Sequence, residues 1–358
     1  MSFSAAYVQK RTSKNTFYNQ INTIIDWQVI DNALAKYYTV GQDATGKPSH
    51  SGLLLFKMLL IGFWNGGLSD RDVEDMVNEN LSAMAFCGLQ LESNVPDHTC
   101  LSRFRSKLAV NDGFESLLTG INKQLEAHHI LVKTGVKIDA SLTDTLRKPR
   151  GKPTYQIAED RKEDVVGISE LEQQTTHIKL VKVSQKGVDE EGRWLKKAGK
   201  LHYGFKKHIS TDQDGLVLAI ITTPANVHDS ITFEDLITKS DLKAKSRVYA
   251  DKAYKSKKHD EVLIKKKLKN GIHYKAVKNK PLTDREQVFN KWVSKTRYTV
   301  ERTFGSMSKW FGAGIAKYIG QVKTHAQHLL EAMAYNLKRS PNLIIKLQIA
   351  QNKQVIIG

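Results

Sequence analysis

From His128 onward, apolar spacing alternates between a period of two and a period of about 3.6, and that order restricts the fold more than any other property of the chain. Residues 130–141, ILVKTGVKIDAS, alternate and are rich in β-branched side chains, which predicts a strand ending on Asp139. A charged stretch follows from Leu146 to Lys200, too long for a hairpin loop, and it reads as an insertion of helix plus linker. Tyr203 to Ser210 and Gly215 to Thr223 are strand-like and joined by the turn residues Asp212 to Gly215, so they form a hairpin. A helix begins at Ser230, and SRVYADKAY is a strand with Asp251 at its C-terminal end. HDEVLIKKKLKNG is a basic helix, HYKAVK a short strand, and NKPLTDREQVFNKW leads into a last long helix. The order of elements predicts an α/β domain with a mixed sheet.

The first hundred or so residues have a different texture. Phe17, Ile21, Ile24, Ile25, Ile30 and Leu34 recur at helical spacing, and Gly41 to Pro48 breaks that unit. Leu53 to Trp64 is apolar but contains Lys57 and falls short of the roughly 20 residues that span a bilayer, so it predicts a buried helix. Ser69 is placed to cap SDRDVEDMV, and Asp97 or Thr99 to cap a helix carrying Arg103, Arg105 and Lys107. An all-helical region with a basic capped helix is compatible with helix-turn-helix DNA reading, and equally with a helical domain that never touches DNA. The expected division is a helical DNA-binding and dimerisation domain over 1–128, a catalytic domain over 129–342 with the insertion at about 146–200, and a tail over 343–358.

Charge narrows the partner. The 55 Lys and Arg against 37 Asp and Glu leave a formal charge of +18, which points to a polyanion, nucleic acid before membrane. The surplus is concentrated in Arg147–Lys152, Arg193–Lys207 and Lys265–Lys280, with Trp194, Tyr203 and Tyr274 nearby for base stacking. Cys87 and Cys100 are the only cysteines and form no CxxC pair, so a disulfide framework and a structural zinc site are not indicated and a reducing cytoplasm is expected. The start, MSFSAAYVQKRTSK, lacks the apolar region of a signal peptide.

Residues 297–311, RYTVERTFGSMSKWF, ask for one helix with two stripes. Val300, Phe304, Met307 and Phe311 share a face suited to a core, while Arg297, Glu301, Gly305 and Ser308 line a neighbouring stripe. An Arg/Glu pair at this spacing is usually a solvated ion pair, but two strand-end aspartates upstream, Asp139 and Asp251, change its meaning. Carboxylates carried on different rigid elements supply the oxygen ligands that paired divalent cations need for phosphodiester chemistry. Asp144 and Asp212 are rivals to Asp139 for the first position.

The motifs KIDAS at Asp139, GKLHYGFKKHIS, TTPANVHDS, YADKAYKS at Asp251, RYTVERTFG at Glu301 and the closing KYIGQVKTHAQHLLEAMAYNLKR together resemble the DDE transposases of bacterial insertion sequences, the IS-five group of the IS-four-like superfamily. The resemblance implies an RNase H-like catalytic domain preceded by an all-helical domain. It implies a metal-binding acidic triad at Asp139, Asp251 and Glu301, with Mg²⁺ as cofactor and Mn²⁺ as its substitute. Double-stranded DNA carrying terminal inverted repeats and a target DNA would be the partners, bound by a homodimer or larger assembly. Arg297, Lys309, Lys206, Lys207, Lys252, Arg103 and Arg105 are the candidate DNA contacts, and His228, Asp229 and Tyr254 candidate supports or turn residues. Two positions depart from the pattern of Tyr, two residues, Arg, three residues, Glu, six residues, Lys: Ser294 stands at the tyrosine and Ser308 at the lysine, with Lys309 adjacent. Ala253 stands where the motif around the second aspartate usually has glycine. A transposase relic that only binds DNA, and a metal-dependent nuclease of the same fold, are the alternative functions.

Overall fold

The computed structural model describes residues 10–12, 16–39, 50–151, 155–157, 180–182, 185–277 and 281–357. The N-terminal helices are α1 (Thr16–Ile24), α2 (Trp27–Ala35), α3 (Gly52–Trp64), α4 (Asp70–Glu79), α5 (Leu81–Phe86), α6 (His98–Val110) and α7 (Gly113–Ala127). The single helical unit expected over 17–38 is split, because the Asp26 carboxylate accepts from the Gln28 N–H and starts a new helix there. Ser69 caps α4 in a reciprocal box with Asp72, and Asp97, which accepts from the Cys100 N–H, is the cap of α6.

The sheet consists of β1 (Gly135–Thr145), β2 (Arg193–Lys197), β3 (Lys200–Thr211), β4 (Val217–Pro224), β5 (Arg247–Ala250), β6 (Lys269–Ile272) and the short β7 (Ile315–Ala316). Its central order is β4-β3-β1-β5-β6. β3 runs antiparallel to β1 and to β4, while β5 is parallel to β1 and β6 to β5. This is the order and sense of an RNase H-like sheet. β1 does not stop at Asp139: it continues to Thr145 because β3 pairs along its second half and β7 joins its end, so Asp139 lies mid-strand. Gly204 makes the close pairing possible, since a side chain there would run into the Thr143 carbonyl. The last short strand also differs from expectation. KNGI pairs with β5, and in HYKAVK only the His273 N–H still reaches that strand, at the Ala250 carbonyl. Of the expected insertion, 155–157 and 180–182 pair with each other and β2 extends the main sheet; residues 158–179 lie outside the described set.

The remaining helices are α8 (Phe233–Lys239), α9 (Lys257–Lys265), α10 (Asp284–Phe311) and α11 (Gln321–Ile357). α10 starts at a capping box of Thr283 with Glu286 and ends at Gly312, whose φ of 65° is the left-handed conformation that glycine adopts without penalty. α11 contains Pro341 and runs on through the segment expected to be a tail. It packs on α1, α3, α6 and α7 as well as on β3 and β4, so one apolar core crosses the boundary expected at residue 128.

Buried polar contacts fix that packing. Asn336 of α11 donates to the Asn122 side chain at 2.9 Å and to the Val217 carbonyl at 2.8 Å, while its own carbonyl accepts from the Val217 N–H at 2.8 Å. Lys207 of β3 meets Glu331 of α11 at 2.6 Å, both side chains being almost wholly buried. Glu331→Ala leaves that ammonium without a counter-charge and should cost about 3–5 kcal/mol in urea unfolding, most of it recovered in Lys207→Met/Glu331→Leu.

His208, also fully buried, is held by Thr223 at 2.9 Å through Nε2, and burial lowers its pKa to about 4. Its neutral form therefore contributes about 3 kcal/mol that is present above pH 6.5 and is lost as pH falls toward 4. Unfolding free energies of the protein and of His208→Gln should converge over that window; parallel curves would show that His208 does not carry the effect.

Candidate active site

β1 and β5 place the two aspartates by register. Lys137 lies opposite Tyr249 in the parallel pair, so continuing both chains two residues brings Asp139 level with Asp251. Alternation along β1 sends Val136 and Ile138 into the core, leaving Lys137 and Asp139 to the opposite face. Lys137 is fixed on the Asp212 and Gln213 carbonyls at 3.1 and 2.9 Å. Asp251 directly follows β5 and caps the turn Lys252–Tyr254, its Oδ1 accepting from the Lys252 N–H at 2.7 Å.

α10 closes this face from above. Val300, Met307 and Phe311 are buried as expected, Phe304 is half-buried, and Val293 and Thr303 add to the buried side. Arg297 leaves the edge of that side and spans both acids: Nη2 is 3.0 Å from Asp139 Oδ2, and Nη1 is 3.7 Å from Asp251 Oδ1. Its ion-pair partners among the described residues are therefore the two aspartates and not Glu301. Glu301, one turn further along, is exposed, and its carboxylate makes no hydrogen bond or ion pair among the described residues.

Burial raises the pKa of Asp139, with Arg297 and the Ala140 N–H acting against it and the Asp251 charge adding to it. Asp251 moves the other way. Burial alone would raise it, but the Lys252 N–H, Arg297 and His273 outweigh that and lower it. The pair is therefore an acidic site whose negative charge one guanidinium only partly offsets. Two carboxylates set level by paired strands and sharing one guanidinium are oxygen donors of the kind a hard divalent ion takes. No group of three or more acid, histidine or cysteine side chains able to hold a metal is present among the described residues, and Glu301 is not drawn in.

His273 and Ser294 were not visible as site residues in the sequence. His273 Nδ1 lies 3.3 Å from Asp251 Oδ1, and its Nε2 is 3.1 Å from both the Asn290 carbonyl and Ser294 Oγ. The signal available was Ser294 itself, which breaks the expected motif at the position where it touches the histidine.

The structure separates the expected DNA contacts. Lys252, Lys309 and Arg103 are exposed. Lys206 is buried on the Val227 carbonyl and Asp229, each at 2.7 Å, and Lys207 is buried on Glu331, so neither side chain is at the surface. Arg105 is also internal: it grips Asp70 of α4 through two bonds of 2.8 Å and lies 4.1 Å from the Tyr318 ring centroid. His228 caps the turn before α8, and Tyr254 is buried behind the two acids, its hydroxyl without a hydrogen-bond partner among the described residues. The rivals lie elsewhere. Asp144 pairs with His202 at 2.8 Å, and Asp212 accepts from the Leu216 and Asp214 N–H groups of the hairpin turn at 2.8 and 3.0 Å.

Known proteins agree with this layout. A transposase domain family (DUF772) matches residues 6–107, and a transposase DDE domain family matches residues 172–337. The transposase for insertion sequence element IS1106 of Neisseria meningitidis serogroup B is 34% identical over 241 residues, 67% of this chain and 77% of that protein. The chain belongs to the bacterial insertion-sequence DDE transposases. A Mos1 transposase paired-end complex with left transposon end overlaps 86% of this chain and 82% of its own at 10% identity and a TM-score of 0.21, too low to bear on the fold. The DDE match takes in Asp251, Arg297 and Glu301 and begins after Asp139, which the register of β1 with β5 sets level with Asp251.

Arg105→Ala in this transposase should lower stability by about 3 kcal/mol in urea with no DNA present, because Asp70 loses a buried partner. Arg103→Ala should leave the unfolding midpoint unchanged.

Proposed function

We propose that this transposase hydrolyses DNA at the ends of its insertion sequence and then joins the freed 3′-hydroxyls to target DNA. The observation that carries this reading is the meeting of Asp139 and Asp251 at Arg297, on an RNase H-like sheet in a strongly basic chain. Asp139 and Asp251 would hold Mg²⁺, or Mn²⁺ in its place, with Glu301 of the same α10 stripe as the third ligand. Divalent cations bound there supply the activation of the attacking oxygen and the stabilisation of the leaving one in an in-line displacement.

The protein's own groups do the rest. Asp139 sits on β1 and Asp251 directly follows its parallel partner β5, so their carboxylates are held in fixed relation before DNA arrives. Arg297 balances their charge, and its guanidinium is of the kind that grips a phosphate in two-point fashion. Lys252, Lys309 and Arg103 offer exposed ammonium and guanidinium groups for the DNA backbone, giving affinity that falls with salt. No helix among the described residues is long and apolar enough to cross a membrane.

Asp251→Asn should abolish strand cleavage of a duplex carrying the element's end while its binding affinity in a gel-shift assay stays within about threefold of the parent. Full cleavage by this variant in Mg²⁺ would overturn the assignment. A protein that cleaves but never joins 3′ ends to a second DNA would be a nuclease of this fold, and one that only binds would be a relic.

A further inference from the structure

Protein groups crowd one oxygen of Asp251. The Lys252 N–H at 2.7 Å, His273 Nδ1 at 3.3 Å and Arg297 Nη1 at 3.7 Å all lie against Oδ1. Oδ2 has no such partner among the described residues, which leaves it to whatever the site binds. Asp139 is arranged less one-sidedly, with the Ala140 N–H on Oδ1 and Arg297 on Oδ2.

His273 is the member of this set whose position is set most thoroughly. It follows β6 directly, and its N–H donates to the carbonyl of Ala250, the residue before Asp251. Its ring is only 10% exposed, and its far nitrogen is engaged by two groups of α10, the Asn290 carbonyl and Ser294 Oγ. Asn290 also clasps the next residue, accepting from the Tyr274 N–H at 2.8 Å and donating to its carbonyl at 3.1 Å. The ring therefore cannot swing without disturbing both the end of β6 and the first half of α10.

We infer that His273 is a positioning residue for Asp251: it ties that carboxylate to α10 and turns Oδ2 toward the metal and DNA. The inference rests on the reading of Asp251 as a site residue given above. Ser294 extends the same tie from the position where the family motif carries tyrosine, so the histidine and serine together occupy the space between helix and second aspartate. Hydrogen-bonded partners of metal-binding carboxylates typically change metal affinity or rate by about 10- to 100-fold when removed.

Two amide substitutions separate the histidine's two contacts. His273→Asn keeps a donor where Nδ1 faces Asp251, and His273→Gln keeps one where Nε2 faces α10. Mn²⁺ binding followed by electron paramagnetic resonance, with no DNA present, should weaken about 10- to 100-fold in His273→Gln and stay within about threefold in His273→Asn. Cleavage should follow the same order at saturating DNA, with the affinity for the end duplex unchanged. If both variants lose metal affinity equally and in step with their melting temperatures, or if neither loses any, the inference falls. Asp251→Asn distinguishes the layers. Retained Mn²⁺ binding and cleavage there would remove the site reading itself, whereas their loss alongside a normal His273→Gln would remove only the role of His273.

Discussion

A guanidinium set between two carboxylates ties the last long stripe-bearing helix to the centre of the sheet. Arg297 reaches Asp139 on β1 and Asp251 beyond β5, strands whose parallel register already holds those acids level. Neither acid alone would need the helix there. Together, on a low-dielectric face, they require a counter-charge, and α10 supplies one from the edge of its buried side. The opposed shifts of the two carboxyl groups follow from the same arrangement: Asp139 is dominated by burial, while Asp251 is compensated by more donors.

The class of fold was legible in the sequence because it depends on local signals. Period-two runs gave the strands, the Asp212–Gly215 turn gave the hairpin, and capping residues Ser69 and Asp97 gave helix starts. Extent was less legible. β1 runs past Asp139 because β3 and β7 cover its second half, and no local signal in SLTDT announces partners that distant in the chain. The strand expected at HYKAVK lies instead at KNGI, since pairing with β5 decides it and β-propensity does not. His273 stayed hidden for the same reason: its contacts are with Asp251 and α10, which only the folded chain brings near.

Basic residues show how charge count and charge use diverge. Lys206, Lys207 and Arg105 read as candidate DNA contacts, yet each is spent inside the protein on Asp229, Glu331 or Asp70. A lysine in an alternating strand points inward or outward by parity, and in β3 successive side chains are buried on both faces. Sequence gives the sign of the charge, whereas only the layers on either side of the strand decide whether it meets solvent.

α11 lies at the far end of the chain from the helices it packs against, and this bears on synthesis. α1, α3, α6 and α7 present apolar faces that α11 covers, and Asn122 of α7 waits for Asn336 to complete its hydrogen bonds. During vectorial elongation those early helices leave the ribosome with an open seam, and the contacts that seal it have the long sequence separation that slows closure. The nascent chain thus keeps that seam as exposed surface until α11 is made, so a product that stops short of α11 is open to aggregation or proteolysis.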